Sequence, residues 1–188
     1  MLVVRPYRRE RAVTYAGRYA FSQNPVFADF EELGGNCTNF VSQCIYAGSC
    51  RMNYTSVFGW YYISLNERSP SWSGVEYFYN FMTTNTGVGP FGREATADEV
   101  EIGDVVQLAK EDGDFYHTLL IVGFDGEEIL VSAQSIDAFQ RPLSEYDYAI
   151  SRFIKIEGVR VSSRPEEDCF DAVYSGRALV GEPAAAEE

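Results

Sequence analysis

Histidine is nearly absent from this sequence. His117 is the only one in 188 residues, so a metal site built on paired imidazoles has no ligands here. The gaps of six and five residues separating Cys37, Cys44 and Cys50 match no common zinc-ligand pair either, and no metal or other cofactor is expected. Positive charge is scarce as well: 15 Lys and Arg stand against 28 Asp and Glu, a formal net charge of −13. Binding through phosphates requires a concentrated basic surface, so nucleic acid and anionic membrane are poor partners, and a neutral or cationic substrate is tolerated better than an acidic one. No run approaches the roughly 20 apolar residues of a membrane helix. The basic opening from Arg5 to Arg11 is not followed by the apolar stretch of a signal peptide, which points to the cytoplasm unless the chain is exported by another route.

What is present suits one folded domain. The length and the 46% hydrophobic content are enough for a sizeable core. The fourth cysteine, Cys169, makes the number even, which in an oxidising compartment permits two disulfides. If Cys37 and Cys44 share a helix they lie roughly 10 Å apart at 1.5 Å per residue, beyond disulfide reach. Reduced thiols are therefore expected.

Helical spacing of Ala12, Tyr15, Ala16, Tyr19 and Ala20 predicts an amphipathic helix from about Tyr7 to Ser22, ended by Asn24-Pro25. A second helix follows a Gly-rich, acidic loop. Asn36 is its expected side-chain N-cap, Cys37, Phe40, Val41, Cys44 and Ile45 form its apolar stripe, and Gly48 closes it. The aromatic region around Trp60 and Trp72 resists assignment, and Val75 to Met82 predicts a third helix stopped by Asn85, Gly87 and Gly89-Pro90. Beyond Val100 short β-type runs take over: Val105 to Leu108, His117 to Phe124, Ile129 to Ala133 and Arg152 to Ile156, with Asp125-Gly126 as a hairpin turn. Helices followed by an antiparallel sheet make an α+β domain over residues 1–161, with 162–188 as a polar, loosely held tail.

Two side chains stand out chemically. Cys37 opens a helix, where unpaired backbone N–H groups favour a thiolate. A cysteine is also a small hydrophobe at home in a core, and Cys44, Cys50 and Cys169 keep that reading. His117 heads the most apolar strand, where it is either a structural residue with hydrogen-bond partners or the general base for Cys37, being the only group near neutral pKa. A base of this kind needs an orienting group. Gln134, at the end of the neighbouring run, is the candidate, with Asp137 in reserve.

The stretches Gly35-Asn36-Cys37-Thr38-Asn39-Phe40-Val41-Ser42-Gln43-Cys44, Ser71-Trp72-Ser73-Gly74-Val75-Glu76-Tyr77, Gly103-Asp104-Val105-Val106-Gln107-Leu108, Tyr116-His117-Thr118 and Arg141-Pro142-Leu143 together resemble the bacterial putative amidase domain family, which looks like a relative of the NlpC and CHAP cell-wall hydrolases. The resemblance runs from about Tyr7 to Arg160. It implies a papain-like fold in which a helix headed by the cysteine packs on an antiparallel sheet carrying the histidine and then a third polar residue, in the chain order Cys37, His117, Gln134. It departs from the family pattern twice: Asn36 stands where Asp is common, and Gln134 where His is common.

The expected chemistry is attack of Cys37 on an amide carbonyl, with the oxyanion held by its backbone N–H and a second donor, Asn39 or Asn24. Trp60, Tyr61, Tyr62 and Trp72 either line the substrate groove or complete the core. Acyl transfer to an amine by the same pair, and a non-catalytic peptide- or glycan-binding module, are the rival classes. The resemblance points to cell-wall peptide, such as peptidoglycan fragments, as substrate.

Overall fold

In the computed structural model, which describes residues 1–162 and 168–178, helices lie on one face of an antiparallel sheet. After an edge strand β1 (Leu2–Arg5) come helix α1 (Arg9–Tyr19), a 3₁₀ turn (Glu31–Leu33) and helix α2 (Cys37–Ser49). A small hairpin of β2 (Tyr62–Ser64) and β3 (Glu67–Arg68) leads to α3 (Pro70–Ser73) and α4 (Val75–Thr84). The strands β4 (Gly89–Ala95), β5 (Val105–Ala109), β6 (Phe115–Asp125), β7 (Glu128–Ala133), β8 (Ala138–Pro142) and β9 (Ile150–Ser162) follow, with a short helix α5 (Phe170–Tyr174) near the end. The main sheet has the order β1-β9-β5-β6-β7-β8, and β4 adds to β9. The α+β expectation is met.

The sheet divides the core into two layers, and side-chain alternation assigns each strand residue to one of them. On β6, Leu120 and Val122 join Val105 and the helices α1, α2 and α4 in the larger cluster. Leu119 and Ile121 join Val106, Leu108, Val131 and Leu143 on the opposite, outer face. Helix α2 is central to the first layer, with Cys37 to Gly48 buried along its length. Its polar side chains are largely paired: Ser42 Oγ donates to Trp72 O at 2.9 Å and accepts from Trp60 Nε1 at 3.1 Å, and Gln43 Oε1 accepts from Tyr15 OH at 2.7 Å, while Gln43 Nε2 has no partner among the described residues.

Several expectations are corrected in detail. The first helix is shorter than the span Tyr7 to Ser22: it covers Arg9–Tyr19, and the chain already turns at Ala20. Gly48 does not end α2; it lies inside the helix, where a Cβ would stand 2.5 Å from the Tyr7 ring, and the left-handed C-cap is Cys50 at φ 48°. Gly89-Pro90, expected only as a stop, also begins β4, and β1 and β8 were not anticipated.

The cysteines are not all reduced. Cys50 and Cys169 form a disulfide, with Cα atoms 5.3 Å apart and 119 residues of sequence between them. It fastens the end of α2 to the segment 168–178, where Asp168 pairs with Arg11 at 2.6 Å, and where Asn24 Nδ2 and Tyr19 OH donate to the carbonyls of Val173 and Tyr174. This part of the expected tail is packed; 163–167 and 179–188 lie outside the described residues.

Asp104, fully buried, accepts from the backbone N–H groups of Glu101 and Ile156 and pairs with Arg9 Nη1 at 2.6 Å. It ties α1 to the start of β5 and to β9.

Candidate active site

Cys37 is the first residue of α2 and is buried, 8% exposed. Gly34 and Gly35, both at positive φ (114° and 106°), reverse the chain just before it, a conformation that side chains with a Cβ resist. Asn36 does stand at the N-cap, but its side chain makes no capping bond to the first turn. Its carboxamide is used elsewhere: Oδ1 accepts from Phe30 N at 3.2 Å and from Asn39 Nδ2 at 2.7 Å, and Nδ2 donates to Gln134 Oε1. The polar atom recorded beside the Cys37 sulfur is Thr38 Oγ1, at 3.8 Å.

The next side chain, Thr38, docks the helix on the sheet. Its hydroxyl lies 2.9 Å from that of Thr118, which also accepts from Gln107 Nε2 at 3.1 Å. Thr118 therefore faces the helices. His117, its chain neighbour, alternates to the outer face, opposite Leu108 on β5, with its ring stacked near Tyr116 at 6.1 Å and 5.9 Å from Tyr146. A β-bulge between Leu108↔His117 and Ala109↔Phe115 lies beside this point, an irregularity of the kind that re-aims side chains. The structure thus brings the backbones of Cys37 and His117 to either side of one threonine pair, but forms no thiol–imidazole hydrogen bond.

His117 is 7% exposed and its Nε2 has no hydrogen-bond partner among the described residues. Burial, aided by the charge of Arg141, lowers its pKa to about 4, so the ring is neutral at pH 7. Arg141 itself lies over the Tyr146 ring at 4.3 Å.

The expected orienting role of Gln134 is not what its contacts provide. Its Nε2 donates to the carbonyls of Tyr19 at 2.7 Å and Ser22 at 3.1 Å, and its Oε1 accepts from Asn36 Nδ2 and, at 3.4 Å, from Gln23 Nε2. Every polar atom of that amide is occupied in joining the end of α1 and the start of α2 to the end of β7, and none meets His117. Asp137 is exposed in the β7–β8 turn.

Neither proposed second oxyanion donor is free. Asn39 Nδ2 is bound to Ala28 O at 3.1 Å and to Asn36, while its Oδ1 accepts from Trp72 Nε1 at 2.9 Å. Asn24 Nδ2 is bound to Tyr15 OH at 2.8 Å and Val173 O at 2.9 Å. Trp60 and Trp72 are fully buried and packed on each other at 4.9 Å, so they belong to the core beneath any groove. Tyr62 is buried with them, 5.8 Å from Trp72. Hydrogen bonding inside a dense interior claimed these side chains, and single-sequence spacing does not reveal which polar groups will be paired.

Two residues that hold Asn36, directly or through one another, had no sequence signal. Ser135, at φ 63°, accepts the Asn36 N–H at 2.6 Å, and Glu31 accepts from the Ser135 hydroxyl at 2.5 Å. Only the left-handed backbone of the β7–β8 turn aims that hydroxyl at α2. Thr118 did carry a signal, a hydroxyl in an otherwise apolar strand.

"Uncharacterized protein YhbB" of Bacillus subtilis (strain 168) is 34% identical over 147 residues, covering 75% of this chain and 45% of that protein. The chain thus spans less than half the length of this curated relative. No solved structure matches significantly. No helix among the described residues is long and apolar enough to cross a membrane. The putative amidase domain family matches residues 6–156, most of the sheet and every helix but α5, and the chain belongs to that family.

Proposed function

We propose that this protein is a cysteine-dependent amide hydrolase in which Cys37 is the nucleophile and His117 the base. The observation that carries the reading is the Thr38–Thr118 contact at 2.9 Å. It docks the helix start that bears the thiol beside the strand start that bears the only imidazole. Cys37 gains from its position at the first turn of a 13-residue helix, where the macrodipole favours negative charge.

The chemistry then runs in balanced steps. The Cys37 thiol proton passes to His117 as sulfur bonds to the amide carbon, and the oxyanion is held by the Cys37 N–H, one of the first-turn donors that have no intrahelical partner. The C–N bond breaks as His117 returns the proton to the amine, and water, deprotonated by His117, releases the acid from the thioester. An imidazole of pKa about 4 does not hold a thiol proton at rest, so no standing thiolate–imidazolium pair forms. Burial is the main cause of that low value. In this reading the ring turns at the bulge from the outer face toward Cys37 before it takes the proton, which gives Nε2 a partner. Cell-wall peptides are the substrate class the family resemblance favours.

A second reading is favoured by the outward ring and the fully engaged Gln134: a binding module that retains the fold without the chemistry. Peptidoglycan fragments incubated with the pure protein, and products read by mass spectrometry, separate the two. Hydrolysis by the wild type that disappears in Cys37→Ala and falls at least a hundredfold in His117→Ala supports the enzyme; an active Cys37→Ala protein sinks it. Product diverted to added amines marks acyl transfer by the same pair.

A further inference from the structure

We propose that Glu31 and Ser135 are positioning residues for Cys37, acting through the backbone N–H of Asn36. The inference rests on Cys37 as nucleophile and adds to it the device that fixes the nucleophile's turn.

The N-cap peptide of α2 is held from outside the helix. Because the Asn36 side chain is turned away from the first turn, what fixes Asn36 is its own N–H, donated to Ser135 Oγ at 2.6 Å, and its carbonyl, which accepts from Phe40 N at 2.9 Å. Ser135 Oγ in turn donates to Glu31 Oε2 at 2.5 Å. A hydroxyl whose proton is committed to a carboxylate presents its lone pairs to the N–H, so the Glu31 charge strengthens the second bond through the first. The relay joins the 3₁₀ turn, the β7–β8 turn and the residue preceding Cys37.

The backbone that presents Ser135 is strained. Ser135 has φ 63°, and Ile136, a β-branched residue, has φ 92° while 72% exposed. Such conformations persist where surrounding contacts over-determine them, and they gather at functional sites. Packing gives no reason to retain an exposed isoleucine in that region; the direction of the Ser135 hydroxyl does. Moving the Asn36 peptide re-aims the Cys37 N–H and Cα–Cβ bond together, the two groups that must meet the same carbonyl.

The test uses the full chain and two readouts. Amide hydrogen exchange of Asn36 reports the relay, and the acylation burst of Cys37 with p-nitrophenyl acetate reports the nucleophile. Ser135→Ala is expected to speed exchange at Asn36 and slow the burst about tenfold, the loss of one positioning hydrogen bond. Glu31→Gln, which keeps an acceptor, is affected less than Glu31→Ala. Unchanged exchange and burst in Ser135→Ala overturn the proposal, as does a Glu31→Gln protein as slow as Glu31→Ala. Should Ser135→Ala fail to fold, Glu31→Ala, altered at an exposed side chain, decides by the same criteria. A wild type without a burst defeats the nucleophile assignment instead, and exchange at Asn36 still decides the relay.

Discussion

Thr38 and Thr118 share a hydrogen bond of 2.9 Å between the start of the central helix and the start of the most apolar strand. Each is the chain neighbour of a chemically distinctive residue, Cys37 and His117. One contact therefore sets both the docking of the helix and the spacing of the candidate pair.

Thr118→Val removes a hydroxyl that also accepts from Gln107 Nε2 at 3.1 Å, and leaves the Thr38 hydroxyl buried without its partner. A loss of about 1–3 kcal/mol is expected in denaturant unfolding. The double variant Thr38→Val/Thr118→Val should lose less than the sum of the singles, since neither orphan remains. Strict additivity would show that the contact contributes nothing.

His117 makes stability depend on acid. Its folded pKa of about 4 lies below the ordinary 6.5, so between those values the unfolded chain binds more protons than the native one. The contribution is complete above pH 6.5 and is lost as pH falls toward 4, the loss amounting to about 2–3 kcal/mol by pH 4.5. His117→Phe, which cannot titrate, should show a flatter fall between pH 7 and 4.5. Parallel curves for the two proteins would contradict the buried neutral ring.

Alkylation of the denatured, unreduced protein should modify Cys37 and Cys44 alone, with Cys50 and Cys169 reacting after reduction. Replacing both bonded cysteines by serine is expected to cost roughly 2–5 kcal/mol, hence a fall of roughly 5–15 °C in Tm. Four reactive thiols in the unreduced protein would refute the tether between α2 and α5.

Asp104→Ala strips the partner from Arg9 and two backbone N–H groups, and should cost roughly 3–5 kcal/mol by thermal or denaturant unfolding. Burial raises the pKa of Asp104, so its charge is itself a cost, and Asp104→Asn should be milder. Equal losses in the two variants would rule out that desolvation cost.

The helices were readable because burial on one side imposes a period of 3.6 on apolar residues. Ala12 to Ala20, Cys37 to Ile45 and Val75 to Met82 all carried it, as the apolar run after His117 carried its strand. The position of Cys37 at a helix start was legible too, from the glycines before it and the stripe after it. Strands β1, β4 and β8 were not, because edge strands and those beginning at Gly89-Pro90 lack a strong alternation.

What only tertiary structure decided is the pairing of polar groups. Gln134, Asn39 and Asn24 looked like candidates for chemistry, and each is consumed by a hydrogen bond across tens of residues of sequence. Cys50 found Cys169 for the same reason: a partner 119 residues away leaves no trace in local spacing. The sequence by itself determined the elements and set a thiol at the head of a buried helix. The three-dimensional packing determined which face of the sheet His117 takes and which neighbours hold Cys37, because local periodicity specifies elements while hydrogen-bond satisfaction in a dense core is settled among residues distant in the chain.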